Sequence, residues 1–408
     1  MTPRRTIFFV NPWHGTIGPN VGMGQLATEC LRRGHHVVMA VGRDDERAEC
    51  LRNQGVETHV IPGLEPVPRA AGILAKIRQL PRNLVALHTA STLCHSVAAD
   101  AICINAENMP LMPRIGPLNG RRTVVLVRGV RFAELGLLAR MFFAVQRTAV
   151  WRYVAVSRTV GDLLVGIGIP QRQVEVIYNG VDVDLFQPGP RRPSLREALG
   201  IPADAPVFGD VSVVSPRKGA HHLVEVLHRV RQTVPQAYCL IVGGANVFGG
   251  AAYCRRVRRC ARELGVSDGL VLTGERQDVP DILRSMDVLV HPSETEAFGR
   301  VLAEAMATGL PAVGFDVGAV GELIDHGRTG NVVKPFDESA MADAVVRLLN
   351  DASLRQQLGQ AGREKVLRNY DLRHTISDRV DLLEEACAIP PPALRRVRRP
   401  RRRVRFSL

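Results

Sequence analysis

The stretch that most constrains this chain is residues 291–335, HPSETEAFGRVLAEAMATGLPAVGFDVGAVGELIDHGRTGNVVKP. It reads as strand end, loop, helix, strand, loop, helix start and turn. Glu296 precedes Phe298-Gly299 in the loop, and Glu304 lies on the helix that follows. Eight helical residues span roughly 12 Å. That is too far for both carboxylates to hold one atom, and suited to the two ends of one elongated ligand. Between them lie the first amides of the helix, N–H donors that lack intrahelical partners and carry partial positive charge. A phosphate or similar anion fits there. The plain alternative is a helix bearing acids on its solvated face.

The run E-A-F-G-R-V-L-A-E-A-M-A-T-G-L-P, followed by GAVGELIDHGRTG, resembles the signature of the retaining, two-domain (GT-B) glycosyltransferases of family 4, the glycosyl transferases group 1. Their pattern is E-x7-E. The resemblance implies that Glu296 helps hold the donor sugar and that Glu304 hydrogen-bonds the ribose hydroxyls. It also implies that the amides of Ala297, Phe298 and Gly299 meet the diphosphate. It covers roughly residues 5–385.

The first half alternates strand and helix patterns, which argues for a parallel sheet. Thr6–Val10 is a first strand, followed by a glycine-rich loop with Gly15, Gly18, Gly22 and Gly24. The helix GQLATECLRRG ends at Gly34, as a C-cap requires. HHVVMAVG and VETHVIPG are the next strands. The glycine spacing does not match a dinucleotide fingerprint. By resemblance this loop, with Gly22, approaches the donor; the alternative is a simple turn.

Residues 69–87 pattern as an amphipathic helix broken at Pro81, suited to covering the sheet or to lying on an anionic membrane. Thr123–Phe132 reads as a buried strand running into a loop. Where the family often places a His near the donor sugar, this chain has Arg128, which can bind charge but cannot act as a base. His14, His88 and His95 could compensate or be structural. VIYNGVDVDLF, with Asn179-Gly180, Asp182 and Phe186, resembles the crossing to the second domain, and QPGPRRPS reads as the hinge.

The second domain opens with APVFGDVSVVSPRKGAHHLVEVL. By resemblance an Arg and a Lys here clamp the diphosphate and offset the charge on the leaving group, so no metal and no cofactor are expected. Lys218-Gly219 is kept, but Val213 stands at the Arg position, and Arg217 is the candidate substitute. AAYCRRVRRCARELG reads as a basic helix with a solvated face. ESAMADAVVRLL through REKVLRN is helical by its 3.6 period, and Leu372–Cys387 is the helix expected to cross back to the first domain.

The chain has 408 residues, 46% apolar and 23% charged, an ordinary globular mixture for two or three domains. Of its net charge of +13, eight units come from the arginines of Arg395–Leu408, so subtracting them leaves +5 for the rest. The tail PPPALRRVRRPRRRVRFSL is expected to be disordered. It could bind anionic lipid or nucleic acid, or simply solubilise the chain. The eight cysteines form no CxxC pair, which suits buried thiols in a reducing compartment. The first apolar run is too short for a signal peptide, and arginines interrupt the most apolar region.

These readings converge on an α/β chain of two Rossmann-like domains facing across a cleft. Residues 1–187 form the acceptor-side domain, 188–204 the linker and 205–370 the nucleotide-sugar domain. Residues 371–389 form the returning helix and 390–408 the basic tail. The expected function is metal-independent, retaining transfer of a hexose-type sugar from a nucleotide-diphosphate sugar to an acceptor hydroxyl. Glu296, Lys218 and Arg128 are the catalytic candidates. Arg217, Lys218, Glu296, Ala297, Phe298, Gly299, Glu304 and Gly22 are the donor-binding ones. The expected place is the cytoplasm, with peripheral contact at the inner membrane face through the Arg tail as an option and nucleic acid not expected as a partner. The rivals are a membrane-surface transferase using a lipid-linked acceptor and a non-catalytic sugar-nucleotide-binding relative.

Overall fold

The computed structural model describes residues 3–12, 18–65, 73–105, 109, 111–130, 137–245 and 249–388, without the side chains of 18, 19, 73–80, 137–139 and 142. The Arg-rich tail, Gly15, His14 and residues 69–72 lie outside the described residues.

Among the described residues, thirteen strands form two parallel sheets. The first contains β1 (Thr6–Asn11), β2 (His36–Val41), β3 (Glu57–Val60), β4 (Ala101–Ile104), β5 (Arg122–Val127), β6 (Arg152–Ala155) and β7 (Val174–Val176), in the order β3-β2-β1-β4-β5-β6-β7. The second contains β8 (Val207–Val211), β9 (Tyr238–Val242), β10 (Leu270–Leu272), β11 (Val288–His291), β12 (Ala312–Phe315) and β13 (Gly330–Val333), in the order β10-β9-β8-β11-β12-β13. The central strands are continuous apolar runs: Ile7–Val10 and Val288–Val290 are wholly buried. Helices cover both faces of such sheets, so their strands need no polar alternation.

By compactness the chain divides into two units. One comprises residues up to Val125, Val145–Arg152 and those from Asp381 on; the other comprises Leu126–Ala144 and Tyr153–Val380. In the first, Phe8, Phe9 and Met39 of the sheet are wholly buried, and the helix Gly18–Arg32 has the buried stripe Met23, Leu26, Ala27 and Cys30. In the second, the helices Ala220–Thr233, Gly250–Glu263 and Glu338–Asn350 cover a core of Phe208, Val224, Val257, Phe315 and Val345.

Two expectations are corrected. Gly18, Gly22 and Gly24 do not form a loop: the helix begins at Gly18. The spacing of its buried stripe matches a helix face, and burying that face outweighs the low helix propensity of glycine. It does end as expected, with Gly34 at φ +87° and His35 N–H donating to Cys30 O (3.0 Å). Second, Pro81 does not break its helix, which runs from Ile73 to Ser96. Ala86, Ala90 and Cys94 are buried at four-residue spacing, and that face carries the helix past the one hydrogen bond proline cannot donate. Among the described residues no helix is long and apolar enough to cross a membrane. None of the eight cysteines is in a disulfide among the described residues.

Candidate active site

Strands β8 and β11 are neighbours, with Phe208 opposite Val288 and Gly209 opposite Leu289. Their carboxyl ends therefore open side by side, and in open parallel sheets ligands bind beyond those ends. The chain leaves β8 through Ser212–Ser215 and a 3-10 turn, Pro216–Lys218, before entering the helix Ala220–Thr233. It leaves β11 through residues 292–299 and enters the helix Arg300–Ala307.

Gly219 lets these loops meet, and Gly318, after β12, lets a third segment approach them. Gly219 has φ +73°, and a Cβ there would collide with the Pro292 carbonyl. Gly318 has φ +53°, and its Cβ would strike the Glu296 carbonyl. Both conformations disfavour any other residue.

The approach assembles a buried row of alternating charges. Asp210 Oδ1 meets His291 Nδ1 at 2.9 Å, and His291 Nε2 meets Glu296 Oε2 at 3.1 Å. Lys218 Nζ donates to the same Glu296 oxygen at 2.6 Å. Ser212 donates its hydroxyl to Asp210, and Ala297 N–H donates to Glu296 Oε1 at 3.1 Å. His291 is fully buried, and Asp210 and Glu296 are nearly so. Burial alone would raise the Glu296 pKa, but Lys218 and His291 outweigh it and hold the carboxyl well below its usual range. Burial likewise opposes the imidazolium, yet Asp210 and Glu296 prevail and raise the His291 pKa. The cluster thus sets two acidic side chains against two basic ones, each with a partner, as buried polar groups require.

Glu304 sits in the second turn of the helix Arg300–Ala307, 9% exposed, with Arg300 Nη2 at 3.1 Å. Burial raises its pKa, and Arg300 only partly offsets this. Gly299, at φ +92°, starts the helix without a side-chain cap, so the first amides are not capped by that residue. The side chain of Phe298 faces away from this polar row: it packs with Tyr178 and Tyr370, ring centroids 6.3 and 5.7 Å away. Arg217 Nη1 donates to Thr295 O at 3.3 Å, so the residue beside Lys218 turns onto the same loop. Val213 is exposed.

Arg128 lies with a different group. Its Nη1 donates to Asn179 Oδ1 (3.3 Å), which also accepts from Arg379 (3.1 Å). Gly22 lies in the second turn of its helix, so a role in donor binding for it rests on the resemblance alone. His88 and His95 are exposed on the helix Ile73–Ser96.

Sequence reasoning missed Asp210, His291 and Glu322. The first two are polar residues inside apolar strand runs, FGDVS and VLVHPS, and that is the signal that could have found them. Glu322 accepts from the Arg158 and Thr159 amides and from the hydroxyls of Thr159 and Tyr178.

Comparison with known proteins fits this geometry. Residues 191–365 match the family described as Glycosyl transferases group 1, and residues 18–185 match Glycosyltransferase Family 4. A GDP-mannose-dependent alpha-(1-6)-phosphatidylinositol monomannoside mannosyltransferase of Mycolicibacterium smegmatis is 31% identical over 309 residues, 72% of this chain and 76% of that one. A D-inositol 3-phosphate glycosyltransferase of Stackebrandtia nassauensis is 32% identical over 212 residues, 50% of this chain and 47% of the relative, so the match spans about half of that relative's length. In fold, the crystal structure of Anabaena Alr3699/HepE in complex with UDP and glucose is similar, with TM-score 0.79 and 22% identity over 94% of this chain and all of the other. The chain belongs to the group 1 glycosyltransferases and has their GT-B fold of two Rossmann-like domains.

Proposed function

We infer that this chain transfers a sugar, with retention of configuration, from a nucleotide-diphosphate sugar to an acceptor hydroxyl. The observation that carries the reading is the Lys218–Glu296–His291 row beside the start of the helix Arg300–Ala307. The relatives' names fit it: one is GDP-mannose-dependent and a structural neighbour is a complex with UDP and glucose.

Lys218 and the amides at Phe298 and Gly299 would stabilise the departing diphosphate, which needs donors placed where charge develops. Glu296 would orient the sugar and Glu304 would accept from the ribose hydroxyls. Arg217 would supply the cation that Val213 does not, and Arg128, always charged, would bind charge and never act as a base. The leaving phosphate would help deprotonate the acceptor on the same face. In this scheme the transfer itself uses no metal.

The test is thermal stabilisation by a panel of nucleoside diphosphates and their sugars, with wild type and Glu304→Gln in parallel. Binding to the native state alone raises stability by mass action. A shift with one nucleotide that is lost in the variant supports the ribose assignment and names the base. The absence of any shift would favour a non-catalytic relative, with Val213 as the first suspect.

A second reading, a lipid-linked acceptor at a membrane surface, has one specific observation. Leu84 and Val85 stand 51% and 62% exposed on the helix Ile73–Ser96. Flotation with anionic vesicles, with and without residues 390–408, tests it.

A further inference from the structure

We propose that His221, His222 and Glu294 form a binding site for one divalent transition-metal ion of the zinc class. The three side chains each offer a ligand atom, and these atoms all lie within 4.8 Å of one another. Two ligands on a zinc ion at about 2.1 Å stand roughly 3.4 Å apart in tetrahedral geometry. To reach that spacing no pair of ligand atoms has to close by more than about 1.4 Å.

The surroundings are arranged as metal-bound histidines require, with the second ring nitrogen of each held by a partner. His222 Nδ1 meets Glu338 Oε1 at 2.6 Å, and His221 Nδ1 meets the Tyr253 hydroxyl at 2.6 Å. The Nε2 atoms are the ones left for an ion. His222 is 6% exposed, and its Nε2 is buried without a hydrogen-bond partner among the described residues. A buried polar atom left in that state is costly unless something binds it. Glu294 supplies the negative charge. It is partly exposed, and its backbone N–H is fixed by a bond to Arg217 O (2.9 Å).

Charges of both signs surround the three ligands. The ion would sit at the amino end of the helix Ala220–Thr233, where the dipole disfavours cations, and Arg256 lies close enough to act on His221. Glu294 and Glu338 oppose both. Metal binding takes the neutral imidazole, so the site should fill more readily as pH rises. Two imidazoles and one carboxylate select zinc, cobalt or nickel over magnesium and calcium, which prefer all-oxygen sites. Such an ion would tie the 292–299 loop to the segment carrying Lys218, as a clamp beside the polar row. The site does not depend on the proposed transfer reaction.

The experiment is equilibrium dialysis of the metal-stripped full-length chain against Zn2+ and Mg2+, with Co2+ for absorption spectroscopy. Wild type is expected to bind one Zn2+ more than His221→Asn or Glu294→Gln, and to gain no stability from Mg2+. Its Co2+ spectrum should show ligand-field bands without thiolate-to-cobalt charge transfer, which separates the site from the cysteines. Affinity should fall roughly 10- to 100-fold in Tyr253→Phe, which removes only the partner of His221. Unfolding midpoints of the stripped variants matching stripped wild type show that they fold. No Zn2+ bound, equal binding in wild type and both ligand variants, or a thiolate band would each overturn the proposal.

Discussion

The ammonium of Lys218 lies 2.6 Å from Glu296 Oε2, with the two side chains only 16% and 11% exposed. Removing one partner of a buried ion pair leaves the other charge uncompensated, at about 3–5 kcal/mol. In Lys218→Met, Glu296 would still keep His291 at 3.1 Å, so the expected loss is at the lower end, about 3 kcal/mol. Nucleoside diphosphate affinity should fall with it. Urea midpoints of the two proteins provide the check, and coincident curves would mean that the charge of Glu296 does not depend on Lys218.

Glu304 should behave in the opposite way. Burial, partly offset by Arg300, raises its pKa above 4.5. A group with a raised folded pKa contributes stability that is fully present below its unfolded value and lost as pH rises through the folded one. The carboxyl therefore makes the unliganded fold less stable at neutral pH than at acid pH. Glu304→Gln is expected to be as stable as wild type near pH 4 and more stable at pH 7, while losing nucleotide affinity. Melting curves at both pH values decide it; a variant less stable at pH 7 would contradict the assignment.

The row from Asp210 to Lys218 predicts limits on both sides of neutrality. The pKa of His291 is raised above 6.5, because Asp210 and Glu296 overcome the effect of burial. Its contribution is full below 6.5 and is lost as pH rises through the folded value. Glu296, lowered well below 4.5, contributes above 4.5 and loses that contribution as pH falls through its depressed value. Unfolding free energy should thus decline on the alkaline side, starting above pH 6.5. His291→Gln should remove that decline, and titration of the His291 ring by NMR should show an imidazolium persisting above pH 6.5.

Which parts of this site were legible follows from the range of the interactions. The Glu296–Glu304 spacing, Gly299 and Lys218-Gly219 are local patterns, and they fall on the loops and helix expected of them. The Asp210–His291 contact joins residues 81 apart. It exists because β8 pairs with β11 rather than with its successor in the chain alone, and periodicity carries no information about strand order. At Gly18–Gly24 the glycines signal a turn, but the apolar stripe that follows makes the segment a helix. At Pro81 the local breaker likewise yields to burial at Ala86, Ala90 and Cys94. Phe298 matched its motif, but its ring belongs to the packing with Tyr178 and Tyr370.

Glu322 gives the last prediction, since its carboxylate serves the amino end of the helix Arg158–Gly166. It accepts from the Arg158 amide at 2.9 Å, the Thr159 amide at 2.8 Å, the Thr159 hydroxyl at 2.7 Å and the Tyr178 hydroxyl at 2.8 Å. Ser157 takes the next amide, that of Val160, at 3.2 Å. Burial would raise the Glu322 pKa, but these donors overcome it and lower the value from 4.5. Glu322→Gln keeps an acceptor and loses the charge. Hydrogen bonds to charged groups exceed neutral ones by about 1 kcal/mol, and screening at this half-exposed position keeps the expected loss near that figure. A lowered folded pKa contributes stability above 4.5 that is lost as pH falls through the folded value. The gap between wild type and variant should therefore be open at pH 7 and narrow below pH 4.5, as the native carboxylate also becomes neutral. Denaturation at both pH values measures it, and a gap of constant size would assign the role of Glu322 to geometry rather than charge.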